Sequence, residues 1–251
     1  MSKHDSLFIA PGDLATALAL LTRLPIKARF ERGAKAAWAY PLVGVVLTLL
    51  AAVPTSLALT AGLDPSFAAL IWLACSMILT GAMHEDGLAD TVDGFWGGWD
   101  ISRRLEIMKD SQIGSYGVLA LCLSFAARWM AISMILVTDH WMLSLMVVAT
   151  LSRAAMPAVM CALPHARNTG LSQSQGRPSL ATAAVAALLA VALAVVILGT
   201  ASLALVIIAL GLVWTVTRIA KAKIGGQTGD ILGATQQLVE IGLLIALTLT
   251  A

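Results

Sequence analysis

The chain alternates between long, sparsely charged apolar runs and polar breaks, and this alternation constrains the fold more than any other feature. A helix crosses the hydrocarbon core of a bilayer with about 20 apolar residues. Seven runs approach that length: Trp38–Leu59, Phe67–Met83, Tyr116–Val137, Trp141–Leu163, Leu180–Leu198, Leu203–Val216 and Ile231–Thr250. Composition agrees. Of 251 residues, 59% are hydrophobic and 12% charged, with mean hydropathy +0.88; soluble domains hold about 45–50% and about 25%. These values exclude a disordered chain, a charge-driven nucleic-acid binder and almost any soluble enzyme. The sequence predicts a single all-α domain over residues 1–251, a polytopic membrane bundle of about seven spans. Before it, Asp13–Leu24 carries Leu14, Leu18 and Leu21 on one stripe. It is too short to span and reads as a short N-terminal helix that lies in the interface or re-enters. The polar start, Met1 to Ser6, is not followed by a signal-peptide cleavage pattern. Cys75, Cys122 and Cys161 lie in apolar runs and read as small buried hydrophobes.

The basic residues orient this map. Arg23, Lys27, Arg29, Arg32 and Lys35 fall on one side, with Arg103, Arg104 and Lys109, then Arg167 and Arg177, then Arg218, Lys221 and Lys223. The opposite loops, around Gly62, Asp139 and Gly199, contain no Lys or Arg. The positive-inside rule makes the first side cytoplasmic. Three polar segments, His84–Gln112, Pro164–Pro178 and Arg218–Asp230, share that face, so a site built from them faces the cytoplasm.

The chemistry concentrates in the first of these segments. Seven of the chain's 14 acidic residues lie between Glu85 and Asp110. On a helix Asp86, Asp90 and Asp93 share one face. With Glu85 they form a dense set of hard oxygen donors, which suits Mg²⁺ shared with a phosphate; the plainer reading is a solvated acidic loop. Lys109 and Asp110 follow, with Arg103 and Arg104 one to two turns earlier. Cations beside such a face suit a polyphosphate substrate, although positive-inside anchoring also accounts for the arginines. Arg128 and Arg153 sit inside apolar runs, where an arginine faces the bundle interior and pairs. Arg153 reaches a phosphate only if the site is recessed. Gly225-Gly226-Gln227-Thr228-Gly229-Asp230 precedes the last run and resembles a phosphate cradle with Asp230 as N-cap; a capped glycine turn is the alternative. Gln236 and Glu240 follow at helical spacing. His84 reads as a hydrogen-bonding neighbour, and His4, His140 and His165 carry no constellation. Trp96 and Trp99 follow the acidic run and either anchor at the interface or stack on a flat ligand.

Five blocks in order resemble the cobalamin synthase family. They are Thr22-Arg23-Leu24-Pro25; Glu85-Asp86-Gly87-Leu88-Ala89-Asp90-Thr91-Val92-Asp93-Gly94 with Trp96; Met108-Lys109-Asp110-Ser111 with Gly114 and Gly117; Ser152-Arg153; and Gly226-Gln227-Thr228-Gly229-Asp230 with Gly233. The resemblance implies an enzyme of cobalamin biosynthesis in the bacterial inner membrane. It would join adenosylcobinamide-GDP to α-ribazole or its 5′-phosphate and release GMP. It implies Mg²⁺ on Glu85, Asp86, Asp90 and Asp93, and catalytic work by Asp90, Asp93 and Lys109, with Asp93 as the suggested base. Substrate contacts would come from Arg103, Arg104, Lys109, Asp110, Arg153, Gly226, Thr228 and Asp230. The partners would be the two substrates and the bilayer, with no nucleic acid, and an oligomer is compatible with the sequence. Two other readings compete. A CDP-alcohol phosphotransferase shares Asp90-Thr91-Val92-Asp93-Gly94, but Phe95 to Gly98 do not supply its Ala-Arg. An ion-coupled transporter would place its acids near the bilayer midplane.

Overall fold

The computed structural model describes residues 9–249. Met1 to Ser6, His4 and Thr250 lie outside them. The described chain is helical, with 79% of residues in helix and no strand. In order, the helices are α1 (Asp13–Leu21), α2 (Tyr40–Thr60), α3 (Pro65–Thr80), α4 (Met83–Gly97), α5 (Ile101–Ile107), α6 (Ser115–Ile135), α7 (Trp141–Ala162), α8 (Leu171–Gln175), α9 (Leu180–Leu198), α10 (Ser202–Ile224) and α11 (Gly229–Thr248). Short 3₁₀ segments, Phe30–Ala39 and Gly199–Ala201, precede α2 and α10.

Every apolar run is helical, but the number of spans is coarser than expected. Among the described residues, five helical stretches are long and apolar enough to cross a membrane, or six if the bent pair α3–α4 is one span. α9 and α10 fall within one 45-residue stretch, Leu180–Ile224, interrupted at Gly199 with φ +56°. Two boundaries differ from expectation for clear reasons. α10 runs to Ile224, about two turns past Val216. Arg218, Lys221 and Lys223 therefore stand on a helix, where cations favour the C-terminal end. The segment His84–Gln112, expected as a polar stretch, holds α4 and α5; Asp86 and Asp90 keep some exposure while Leu88, Ala89 and Phe95 are buried.

The bundle packs through small residues. Ala51, Ala52, Ala68, Ala69, Ala190 and Ala194 are buried among the helices, which suits helices that must approach closely without a hydrophobic drive between them. Gly87 of α4 and Gly233 of α11 make the tightest crossing near the site. A Cβ on Gly87 would lie 2.8 Å from the Asp230 carbonyl oxygen and 3.1 Å from Gly233 Cα. Just before α4, Gly81 and Ala82 are both left-handed, at φ +66° and +54°. This turn sets α4 at 86° to α3. A non-glycine residue in that region costs of order 1–3 kcal/mol, which the packing of α4 on α11 must offset.

The N-terminal corner is held by one carboxylate. Asp13 is fully buried and accepts from Arg32 Nε at 2.6 Å, Trp38 Nε1 at 2.8 Å and Ala10 N at 2.9 Å. Burial pushes its carboxyl up, but these hydrogen bonds and the Arg32 charge outweigh it and hold the group below its ordinary value.

Candidate active site

The acidic stripe of α4 forms as its spacing predicts, and its members then part company. Asp86 is exposed and Asp90 half-buried. With Glu85 they line a cavity of about 510 Å³ whose facing wall carries Lys109, Asp110 and Ser111 from the loop between α5 and α6. The structure thus brings together two blocks that lie some 20 residues apart in sequence.

Asp93 is engaged differently. Its Oδ2 accepts from Gly114 N and its Oδ1 from Gly117 N, each at 2.8 Å. The first turn of a helix leaves N–H groups unpaired and carries the positive end of the dipole, and Asp93 satisfies both demands of α6. Glycine is required at both positions, because a Cβ on either would collide with the Asp93 carboxylate. The residue expected as ligand and base therefore has both oxygens committed. It pins α6, and with it the Lys109–Asp110 loop, to α4.

Glu85 turns the other way. Its Oε1 accepts from Arg128 Nη1 at 2.9 Å and from Gln237 Nε2 at 3.3 Å. Its Oε2 is buried without a hydrogen-bond partner. Arg128 also lies 3.5 Å from Glu240 Oε1. Arg153 is not brought to the cavity. It is buried in α7, donates to the Ala149 carbonyl at 3.1 Å and lines a separate internal cavity with Glu240. The apolar run that contains it places it too deep to reach the rim. Arg103 pairs with Glu106 on the surface at 2.6 Å. Arg104 donates to the carbonyls of Gly98, Trp99 and Lys223, which ties α5 to the end of α10. Neither arginine lines the cavity, because α5 directs them away from it.

The glycine-rich turn before α11 is closed by its neighbours. Gln227 N donates to the Pro164 carbonyl at 2.8 Å, and Ala166 N donates to the Gln227 carbonyl at 2.9 Å. The buried Gln227 side chain accepts from Ser172 Oγ at 2.6 Å and meets His165 Nδ1 at 2.9 Å. Burial, then the Arg177 charge, holds the His165 imidazole below its ordinary value. Gly226 packs directly on the Pro164 carbonyl, where no side chain fits. The N-cap of α11 is Thr228, which accepts from Ile231 N at 3.3 Å. Asp230, expected as the cap, instead stands in the first turn and takes Arg167 Nη2 at 2.8 Å. A cap oxygen must precede the helix, and Asp230 is already inside it. Through the Gly87 crossing Asp230 lies against α4, close enough for its charge to act on Asp90.

Two site arginines were poorly marked by the sequence. Arg167 was read only as a sign of orientation; its Nη1 is buried without a partner beside Asp230. Arg128 was read as an intramembrane pair, with no indication that Glu85 was the partner. His84 is buried and lines a different, largely apolar cavity of about 50 Å³ with Tyr40 and Met160. Trp96 and Trp99 are exposed outside the acidic cavity, with Lys223 Nζ 6.0 Å from the Trp96 ring.

Among the described residues no three His, Cys, Asp or Glu side chains are grouped so as to hold a metal ion. Mg²⁺ does not need three, since it commonly takes one or two carboxylates, several waters and substrate phosphate. Asp86 and Asp90 on the cavity wall fit that requirement.

These features define a helical membrane protein with an acidic, lysine-fringed cavity. Residues 13–248 match the model of the Cobalamin-5-phosphate synthase family. The chain belongs to that family. It is 41% identical over 241 residues to an adenosylcobinamide-GDP ribazoletransferase of Bradyrhizobium diazoefficiens, covering 93% of this chain and 92% of the relative. A protein of the same name from Sinorhizobium medicae is 41% identical, covering 94% and 96%. Another from Brucella ovis is 39% identical, covering 95% and 96%. No solved structure matches.

Proposed function

We propose that the chain joins adenosylcobinamide-GDP to α-ribazole, or to its 5′-phosphate, and releases GMP at the cytoplasmic face of the inner membrane. The observation that carries this reading is the cavity itself: Asp86 and Asp90 on one wall, Lys109 on the other, with room for a diphosphate between them. The ribose hydroxyl attacks the phosphorus that bears the corrinoid arm, and the bond to the GMP oxygen breaks. Asp86 and Asp90 would hold Mg²⁺, which when bound neutralises the charge that builds on the leaving phosphate. Lys109 balances the same charge from the opposite wall. The hydroxyl proton passes to a carboxylate of the cavity, and Asp110, on the wall away from the cation, is better placed than the committed Asp93.

The same reading extends to a proposed topology. A 45-residue helical stretch would be roughly 67 Å long, more than twice the roughly 30 Å hydrocarbon core. Leu180–Ile224 therefore turns back at Gly199, which gives seven crossings with α3–α4 counted once. α1 lies in the cytoplasmic interface beside the basic stretch Arg23–Lys35.

The test is GMP release by detergent-solubilised protein given both substrates, with Mg²⁺ and with excess chelator. Expected is metal-dependent GMP that is lost in Asp90→Ala while the variant stays folded. No GMP under any divalent metal would sink the proposal.

A further inference from the structure

The basic stretch after α1 supplies a wall as well as a charge. Lys27, Arg29, Glu31 and Arg32 line one side of a cavity of about 410 Å³, and Ala15 and Thr16 of α1 line the other. Small-molecule sites span about 300–1,000 Å³. Hydrogen bonds fix this wall in place. Thr16 Oγ1 donates to the Arg29 carbonyl at 3.0 Å and so ties the stretch to α1. Arg32 Nε and Nη2 donate to the two oxygens of Asp13 at 2.6 and 3.0 Å, so one cation of the wall is held from behind.

The charges on the wall do not cancel. Asp13 answers Arg32, and Glu31 can answer only one of Lys27 and Arg29. Lys27, Arg29 and Glu31 are exposed, and none of them makes an ion pair among the described residues. Cations that serve only to orient a membrane chain act from any solvated position. Here three of them border one concavity, where like charges focus their field on an anion.

Two observations choose among anions. The cavity stands at the start of Phe30–Thr60, a stretch long and apolar enough to cross a membrane. The apolar part of such a stretch fills the hydrocarbon, which leaves its charged first residues, Glu31 and Arg32, at the level of lipid headgroups. Ile9 and Phe30 adjoin the lining residues and are each 47% exposed. A free phosphate gains nothing from these side chains, whereas the apolar part of a lipid does.

We propose that this cavity binds the phosphate headgroup of an anionic phospholipid. Lys27 and Arg29 contact the phosphate, Arg32 adds charge from a fixed position, and Glu31 opposes binding and limits its strength. The site shares no lining residue with the acidic cavity.

The experiment is native mass spectrometry of the full-length chain released from detergent, titrated with phosphatidylglycerol, phosphatidylcholine or inorganic phosphate. One phosphatidylglycerol per chain should be retained, with phosphatidylcholine at least about 5-fold weaker. Lys27→Gln and Arg29→Gln should each weaken phosphatidylglycerol binding about 5-fold, and Glu31→Gln should strengthen it by a similar factor. Lys221→Gln, which removes a cation that does not line the cavity, should leave it unchanged. Both cavity variants change exposed side chains, so Tm in lipid-free detergent should match the wild type. Equal retention of the two lipids would overturn the proposal. So would a loss in Lys221→Gln as large as that in Lys27→Gln, which is the mark of general surface attraction. Displacement of phosphatidylglycerol by inorganic phosphate at equal concentration would overturn the choice of a lipid and leave a free-phosphate site. No substrate enters the measurement, so its outcome is independent of the GMP-release test.

Discussion

Asp13 and Asp90 are the same side chain in opposite circumstances. Asp13 is fully buried, yet Arg32, Trp38 and Ala10 N supply its oxygens with donors. Asp90 is half-buried, faces a cavity, and feels the like charges of Asp86, Asp230 and Asp93, with Arg167 opposing them least. The first carboxylate is complete within the protein. The second has no such set of donors, and in the proposal above a cation completes it. Burial does not separate structural from functional acids here; the presence of partners does.

Substitutions sharpen this contrast, and the largest effect should fall on activity at α4. Asp86→Asn or Asp90→Asn should lower kcat for GMP release by about 10²–10³-fold, with Tm unchanged or raised, since a repulsive neighbour is removed. A fall in Tm as large as that of Asp13→Asn would break the comparison. That second variant should show the reverse pattern. It removes the charge that Arg32 meets at 2.6 Å in a largely buried pair, at a cost of about 3–5 kcal/mol, while kcat per folded molecule is retained. Thermal unfolding in detergent beside active-site titration separates the two quantities.

Asp93 lies between these extremes. Asp93→Ala should cost about 0.5–2 kcal/mol as the loss of a helix cap. It should lower kcat, because the Lys109–Asp110 loop loses its anchor, but leave Mn²⁺ affinity at the wild-type value. An affinity loss equal to that of Asp90→Asn would return Asp93 to the metal. The smallest effect concerns pH. The folded protein holds the Asp13 carboxyl below its ordinary value of 3.8. The stability it contributes is therefore fully present above pH 3.8 and is lost as pH falls from there through the folded value. Acid unfolding of Asp13→Asn should lack this component.

The helices were legible because a bilayer imposes length and apolarity on each crossing. Leu180–Leu198 was read to the residue. The stripe Asp86, Asp90 and Asp93 was legible from spacing. What the spacing did not contain was the partner of each acid. Asp93 meets Gly114 and Gly117, more than 20 positions away, and Glu85 meets Gln237 at a separation of 152. A one-dimensional pattern shows which face a side chain shares, not which helix later packs on that face. Arg153 failed for the converse reason: its placement in an apolar run was visible, but how deep the cavity reaches was not. Asp13 was read as the start of a short amphipathic helix, and its anchoring role depends on Arg32 and Trp38 closing over it from the following 3₁₀ segment.

The left-handed pair Gly81–Ala82 has a consequence for how large substrates are handled. Under the topology proposed above α3 is the crossing limb of the bent pair, and since α4 leaves it at 86°, α4 would run nearly level with the membrane plane. Its acids would then form a shelf at the water boundary instead of lining a shaft through the lipid. A bulky ring system and a nucleotide base can rest outside on opposite sides of such a shelf while only the phosphate link between them dips onto it. The product, still tethered by nothing deeper than that link, leaves by lifting off, and no helix has to move aside to release it.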